Sequence, residues 1–227
     1  MTITDIHTHT PENRHNAVVS GSPAEVEQWI SRWPGACFST GIHPWQTQTL
    51  SETETQTALA HLQRVASLPQ VAAIGETGLD RLRGGDDACQ ELMLRRHIEL
   101  SESLGKPLVL HIVKSADRLL AIRKELSATL TQPWIWHGFR GKPRLADQFM
   151  STATPRSAAM ISLGERFNPD TAKYLPINVL LAETDESHLT ATEIIRLIAE
   201  ARGSTAECLE KAIAGNSLRT LSGSGTV

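Results

Sequence analysis

Short apolar runs bounded by turn residues alternate along this chain with longer polar segments of helical period. The runs predict eight strands, at residues 3–7, 17–20, 36–41, 71–76, 108–112, 133–137, 159–163 and 179–183. Between them, residues 23–33, 51–67, 87–104, 115–130, 142–150 and 190–202 read as helices. In the third of these, Gln90, Leu94 and Ile98 recur on one face, and Gly105 with Pro107 supplies the stop. Such alternation places strands parallel, joined by crossover helices. Strands buried on both faces should be continuously apolar, as Val-Ala-Ala-Ile from Val71 and Val-Leu-Leu-Ala from Val179 are. Eight units predict an α/β fold, a TIM-type (β/α)8 barrel. Residues 10–16 are too few to hold a helix and 165–178 offer only a short one at 169–175, so the barrel is trimmed at the first crossover helix. A doubly wound open sheet is the alternative. No G-x-G-x-x-G or P-loop follows any strand, which counts against dinucleotide or nucleoside-triphosphate chemistry.

Composition narrows this further. At 227 residues, with 40% hydrophobic and 21% charged positions, the chain suits one core, expected as a single barrel over residues 1–221 with a flexible Ser-Gly tail at 222–227. No apolar run approaches the roughly 20 residues of a bilayer span, so no membrane association is expected. A polar, acidic start (Met-Thr-Ile-Thr-Asp) lacks the pattern of a secretory leader. Cys37, Cys89 and Cys208 lack metal-type pair spacing, and together these features predict a cytoplasmic chain. The net charge of −3 excludes a generally basic nucleic-acid binder, so any polyanion must be held locally.

The chemistry-bearing residues fall at strand ends. Asp5, His7 and His9 alternate and share one side of an extended segment. Glu76 ends one strand, His111 and His137 end two others, and Asp185 follows the last. Taken singly, each has an ordinary explanation: a hydrogen-bonded rim histidine, or a carboxylate that opens a loop or caps a helix. Thr184 and Ser187 are read as such capping residues. In a parallel barrel, however, all these strand ends face one mouth. Six imidazole and carboxylate ligands gathered there match the needs of a two-metal hydrolytic site. Loop cations could hold a phosphate: Lys114 and Arg140 lie three residues past His111 and His137, and Arg81 and Arg83 follow Glu76. Lys142 and Arg144 read as solvated charges. His43, in a Gly-Ile-His-Pro-Trp turn, is either a substrate-binding residue or a hydrogen-bonded turn residue. Trp45 and Phe139 are candidates to stack a base, with core packing the other reading for Phe139.

The set Asp5-Ile6-His7-Thr8-His9, Gly41-Ile42-His43-Pro44, Gly75-Glu76-Thr77-Gly78-Leu79-Asp80, His111, His137-Gly138-Phe139 and Glu183-Thr184-Asp185 resembles the TatD family of metal-dependent deoxyribonucleases, within the amidohydrolase-like barrels. The resemblance implies a metal-dependent phosphodiesterase, with His7, His9, Glu76, His111, His137 and Asp185 at metal-ligand positions and Glu76 bridging. Two divalent cations (Mg²⁺, Mn²⁺ or Zn²⁺), about 3.5–4 Å apart, would activate a water. His7, His9 and Asp185 would complete one site and His111 with His137 the other. Asp185 would also take the water's proton, which makes Glu76 and Asp185 the expected catalytic pair. The expected substrate is single-stranded DNA ends, with RNA left open, and no obligate protein partner is expected. Two other readings stay open: a hydrolase of a small amide, lactone or phosphoester, and a non-enzymatic metal-binding protein. The chain departs from the family pattern in its short segment between Asp5 and Gly41, in Ser187 and His188 where a proline and an aromatic are usual, in Arg81 and Leu82 where tyrosines are common, and in Lys114, one place beyond a usual arginine.

Overall fold

The computed structural model describes residues 2–48 and 51–222. Strands β1 (Asp5–Thr8), β2 (Ala17–Gly21), β3 (Cys37–Thr40), β4 (Val71–Asp80), β5 (Leu108–Val113), β6 (Trp134–Trp136), β7 (Ala159–Leu163) and β8 (Leu180–Ala182) form one parallel sheet in chain order. Thr8 at the end of the first strand and Asp185, just past the last, pair through an isolated parallel bridge, so the sheet curls into a nearly closed barrel. The backbone N–H of Asp185 donates to His7 O (2.9 Å), and that of His9 donates to Asp185 O (3.1 Å). The open-sheet alternative is thereby excluded.

Helices α1 (Pro23–Arg32), α2 (Glu52–Ala66), α3 (Asp87–Leu104), α4 (Ala116–Glu125), α5 (Pro143–Met150) and α6 (Pro169–Tyr174) cross between successive strands from β2 to β8, and α7 (Ala191–Arg202) and α8 (Ala206–Leu221) follow the last. Between β1 and β2 there is only a 3-10 turn at Pro11–Asn13, the trimmed crossover that the short spacing predicts. Local chemistry sets the helix ends. Ser22 with Glu25, Ser51 with Glu54 and Thr190 with Glu193 form capping boxes, and Gly105 stops α3 at φ 65°, a left-handed conformation that favours glycine. Two elements differ from the pattern-based reading. Strand β4 continues four residues past Glu76, because Thr77 to Asp80 pair with Leu110 to Val113 of β5. Helix α8 has no counterpart in that reading. Of the expected tail, Ser222 caps α8 and residues 223–227 lie outside the described residues.

Inside the barrel, Ile6, Val18, Ala73, Val109, Ile135, Met160 and Leu181, one from each of seven strands, form an apolar plug below the mouth. A larger apolar layer fills the space between strands and helices. Arg123, fully buried on α4, lies 4.7 Å from the Trp134 ring centroid and donates to Ser157 O and Ala158 O, tying α4 to the start of β7. The side chains above the plug belong to the mouth. Among the described residues, no helix is long and apolar enough to cross a membrane.

Candidate metal centre

The C-terminal ends of five strands supply the centre. His7 lies in β1 with His9 just beyond it, Glu76 in β4, His111 in β5, His137 directly after β6, and Asp185 three residues after β8. Glu76 is the hub, and its two carboxylate oxygens face different partners. Oε2 is 3.5 Å from His7 Nε2 and 3.2 Å from His9 Nε2, the same nitrogens that lie 3.9 and 3.7 Å from Asp185 Oδ1. Oε1 is 2.7 Å from His111 Nδ1 and 2.6 Å from His137 Nε2. His43, just after β3, brings its Nε2 to 3.3 Å from that same Oε1.

Burial shapes the electrostatics. His7 is fully buried; among the described residues neither of its ring nitrogens has a hydrogen-bond partner, and Nε2 lies 3.5 and 3.9 Å from carboxylate oxygens of Glu76 and Asp185. Burial, followed by the His137 charge, pushes the His7 ring below the usual histidine range. Burial pushes the Glu76 carboxyl up, yet the His137 charge and hydrogen bonds from His111, His137 and His43 outweigh it and hold it well below the usual range. Below this cluster, burial pushes Asp5 up to about 7 against hydrogen bonds from Thr184, whose N–H and Oγ1 lie 3.1 and 2.7 Å from its carboxylate.

This donor set fits divalent cations. Ligand atoms of His7, His9 and Glu76, of His7, His137 and Asp185, and of His43, Glu76 and His111 each lie within 4.8 Å of one another. Mixed imidazole and carboxylate donors suit Mn²⁺ and Zn²⁺, and carboxylate-rich sites also take Mg²⁺. An orphaned, fully buried imidazole nitrogen is costly unless it meets a ligand.

Three cavities open from the centre, and Asp185 lines all of them. One of 270 Å³ lies over His9, His43, Trp45 and Glu76. A second, 290 Å³, is lined by Arg140, Glu165, Arg166 and His188. The widest, 760 Å³, runs between the loops after β5 and β6, with Lys114 and Arg140 beside apolar Ile112, Trp136 and Leu145. Lys114 and Arg140 thus stand at the mouth. Arg83 lies 4.2 Å from the Trp45 ring centroid, at the rim. Arg81 is turned aside: its guanidinium pairs with Asp117 (3.1 Å) and Asp87 (3.6 Å) and donates to Lys114 O. Phe139 is only 1% exposed and packs edge-on against Trp136, so its ring is core rather than a stacking surface. Trp45, by contrast, is 44% exposed.

Two carboxylates given no role in the strand-end reading also belong here. Asp80 Oδ2 is 3.3 Å from His111 Nε2 and accepts from Trp45 Nε1 at 2.6 Å. Glu183 Oε1 is 3.4 Å from His137 Nδ1 and accepts from the Gly138 N–H at 2.5 Å. Their signal was the last letter of Gly-Leu-Asp and the first of Glu-Thr-Asp.

Comparison with known proteins gives a consistent picture. The profile of the family described as TatD related DNase matches residues 15–222, a span that begins after His7 and His9. A Mycobacterium tuberculosis protein named "Uncharacterized metal-dependent hydrolase TatD" is 31% identical over 73% of this chain and 65% of its own length. An Erwinia billingiae protein named "3'-5' ssDNA/RNA exonuclease TatD" is 31% identical over 73% of this chain and 63% of its own. The chain therefore matches less than two thirds of the length of these curated relatives. Among solved structures, the TatD homologue YjjV of Escherichia coli superposes with a TM-score of 0.79 at 20% identity, covering 97% of this chain and 98% of that one. A TatD family hydrolase from Entamoeba histolytica gives the same TM-score at 16% identity, with the same coverage. With eight parallel strands, the shared barrel and the profile match over most of its length, this chain belongs to the TatD related DNase family.

Proposed function

We propose that the protein is a two-metal phosphodiesterase that removes nucleotides from single-stranded DNA ends, and from RNA ends as a second substrate. The observation that carries this reading is the division of Glu76: one oxygen faces His7 and His9, the other His111 and His137. His7, His9, Glu76 and Asp185 would hold one divalent cation and Glu76, His111 and His137 the other. Such a pair supplies an acidified water and neutralises the phosphate in attack and departure. Asp185, at the junction of the three cavities, takes the proton of the attacking water. Lys114 and Arg140 hold the phosphates flanking the scissile bond, and the exposed Trp45 ring stacks the neighbouring base. The substrate class draws further support from the name of the Erwinia relative, which also suggests attack from the 3′ end.

The test is digestion of oligonucleotides labelled at either end, with Mg²⁺, Mn²⁺ or Zn²⁺ added to chelator-treated protein. Stepwise shortening from one end, abolished by EDTA, is the expected result. Turnover of a small ester or lactone without any cleavage of DNA or RNA would move the reading to a small-molecule hydrolase. No turnover of either, in a fully metallated protein, would leave a metal-binding protein without an enzymatic role.

A further inference from the structure

Three imidazoles converge on a single oxygen, Glu76 Oε1: His43, His111 and His137. They differ in what holds the far nitrogen of each ring. His111 presents Nδ1 to Glu76, and its Nε2 faces Asp80 Oδ2 at 3.3 Å. His137 is turned the other way, with Nε2 toward Glu76 and Nδ1 toward Glu183 Oε1 at 3.4 Å. Among the described residues His43 meets no carboxylate at its far nitrogen; there the Trp45 backbone N–H donates to Nδ1 at 3.2 Å.

An imidazole can give a lone pair to a cation through one nitrogen only if its proton sits on the other, and the second partner decides which nitrogen that is. A carboxylate at the far side accepts a hydrogen bond from the ring N–H, which keeps the proton there and frees the near nitrogen. A backbone N–H at the far side does the reverse. We infer that these partners sort the three rings: Asp80 and Glu183 make His111 and His137 cation ligands, through Nδ1 and Nε2 respectively, whereas the Trp45 N–H makes His43 a hydrogen-bond donor from Nε2. His43 then donates to Glu76, or to a phosphate oxygen, and does not hold a cation, although its distance alone would qualify it. Asp80 and Glu183 are positioning residues, and both are rigidly seated. Asp80 accepts from Trp45 Nε1 on one oxygen and from Leu82 N–H on the other (2.6 and 2.8 Å). Glu183 is fully buried and accepts from Gly138 N–H.

This inference rests on the proposed reading of His111 and His137 as metal ligands, but its test does not need turnover. Protein labelled with ¹⁵N at histidine and loaded with Zn²⁺, which is diamagnetic, is read by long-range ¹H–¹⁵N spectra. The expected protonated nitrogens are Nε2 of His111, Nδ1 of His137 and Nε2 of His43. Calorimetric titration of metal-free protein supplies the second readout. In Asp80→Asn an amide NH₂ must replace one of two oxygens that already accept N–H groups, so the variant should bind one of its two cations 10- to 100-fold more weakly. Trp45→Phe, which removes the indole donor to Asp80 and keeps a smaller aromatic ring beside His43 and His111, should shift the same binding step in the same direction by less. His43→Asn should still bind two cations per chain. Metal-free melting of these variants near the wild-type temperature would separate positioning from simple loss of fold. The inference is overturned by a proton on His111 Nδ1, by Asp80→Asn titrating like wild type, or by His43→Asn losing a cation. Wild type that binds two cations with the expected pattern yet cuts no nucleic acid would sink the phosphodiesterase reading and leave the sorting intact. Failure to bind two cations would sink both.

Discussion

Asp185 adopts φ 53°, in the left-handed region where aspartate and asparagine are the best tolerated residues other than glycine. Asp185→Asn therefore preserves the backbone and one oxygen donor while removing the proton acceptor. Turnover should fall by about 10²-fold or more with the fold and much of the cation binding kept. Single-turnover cleavage with metal content measured in parallel checks this, and wild-type rates in the variant would refute the proton-acceptor role. A second residue matters through its neutrality. His97 on α3 is fully buried, with Nδ1 2.8 Å from Met93 O, to which it donates, and Nε2 accepting the Ile42 N–H at 2.9 Å, which holds the turn that carries His43. Burial pushes its ring down to about 4. The unfolded chain binds this proton below about 6.5 and the folded one only below about 4, so stability is whole above 6.5 and declines as pH falls through that window, by about 3 kcal/mol in all. Urea unfolding at a series of pH values should show this decline in wild type and its absence in His97→Gln; parallel curves would remove His97 as the cause. The six residues proposed as ligands were legible because each lies at or just beyond the end of an apolar run. Asp80 was not, because its role depends on Trp45 and His111, 35 and 31 residues away.

At the level of elements, what the apolar pattern conveyed depended on how each element is buried. The central strands are buried on both faces and stood out as unbroken apolar runs. The outer half of β4 did not, because Thr77, Gly78 and Asp80 interrupt the run while remaining in register with β5. Gly78 cannot be replaced there: at φ 151° any Cβ would collide with the His111 carbonyl. Helix α8 escaped notice for a related reason. Its buried positions are Leu209, Ile213, Asn216, Ser217 and Thr220, so three of these five inward positions are polar and the helical apolar period is lost. That polarity has a use, since Asn216 Nδ2 donates to Ile177 O and Leu180 O, both at 2.7 Å, and so docks the helix on the start of β8. Asn216→Ala leaves two buried carbonyls without this donor and should cost about 2 kcal/mol in denaturant unfolding, with the activity of the folded fraction unchanged. A loss below a few tenths of a kcal/mol would show that α8 is held by its apolar contacts alone.

For the whole molecule, the centre joins β1, β4, β5 and the chain after β6 and β8, segments spread from His7 to Asp185. Anything that binds this assembled set, and not the unfolded chain, stabilises the entire barrel. Cation at about 100 times its dissociation constant adds about 2.7 kcal/mol per site, which should raise Tm by about 5–10 °C in a chain of this size. His7→Ala and His111→Ala should each lose much of that increment despite lying far apart in sequence. Full cation-dependent stabilisation in either variant would show that they do not share one centre.

The seam between β1 and β8 has a kinetic consequence. The last stave is fastened to the first by the backbone of Asp185 itself, through its N–H to His7 O and its carbonyl to the His9 N–H. A breathing motion that parts these staves breaks both bonds and so withdraws Asp185 from His7 and His9. Deuterium uptake at the amides of His9 and Asp185 should therefore track the fraction of molecules that are momentarily inactive. A substitution that loosens the seam, such as Thr184→Val beneath it, should accelerate exchange at both amides together and shorten the lifetime of bound cation in proportion.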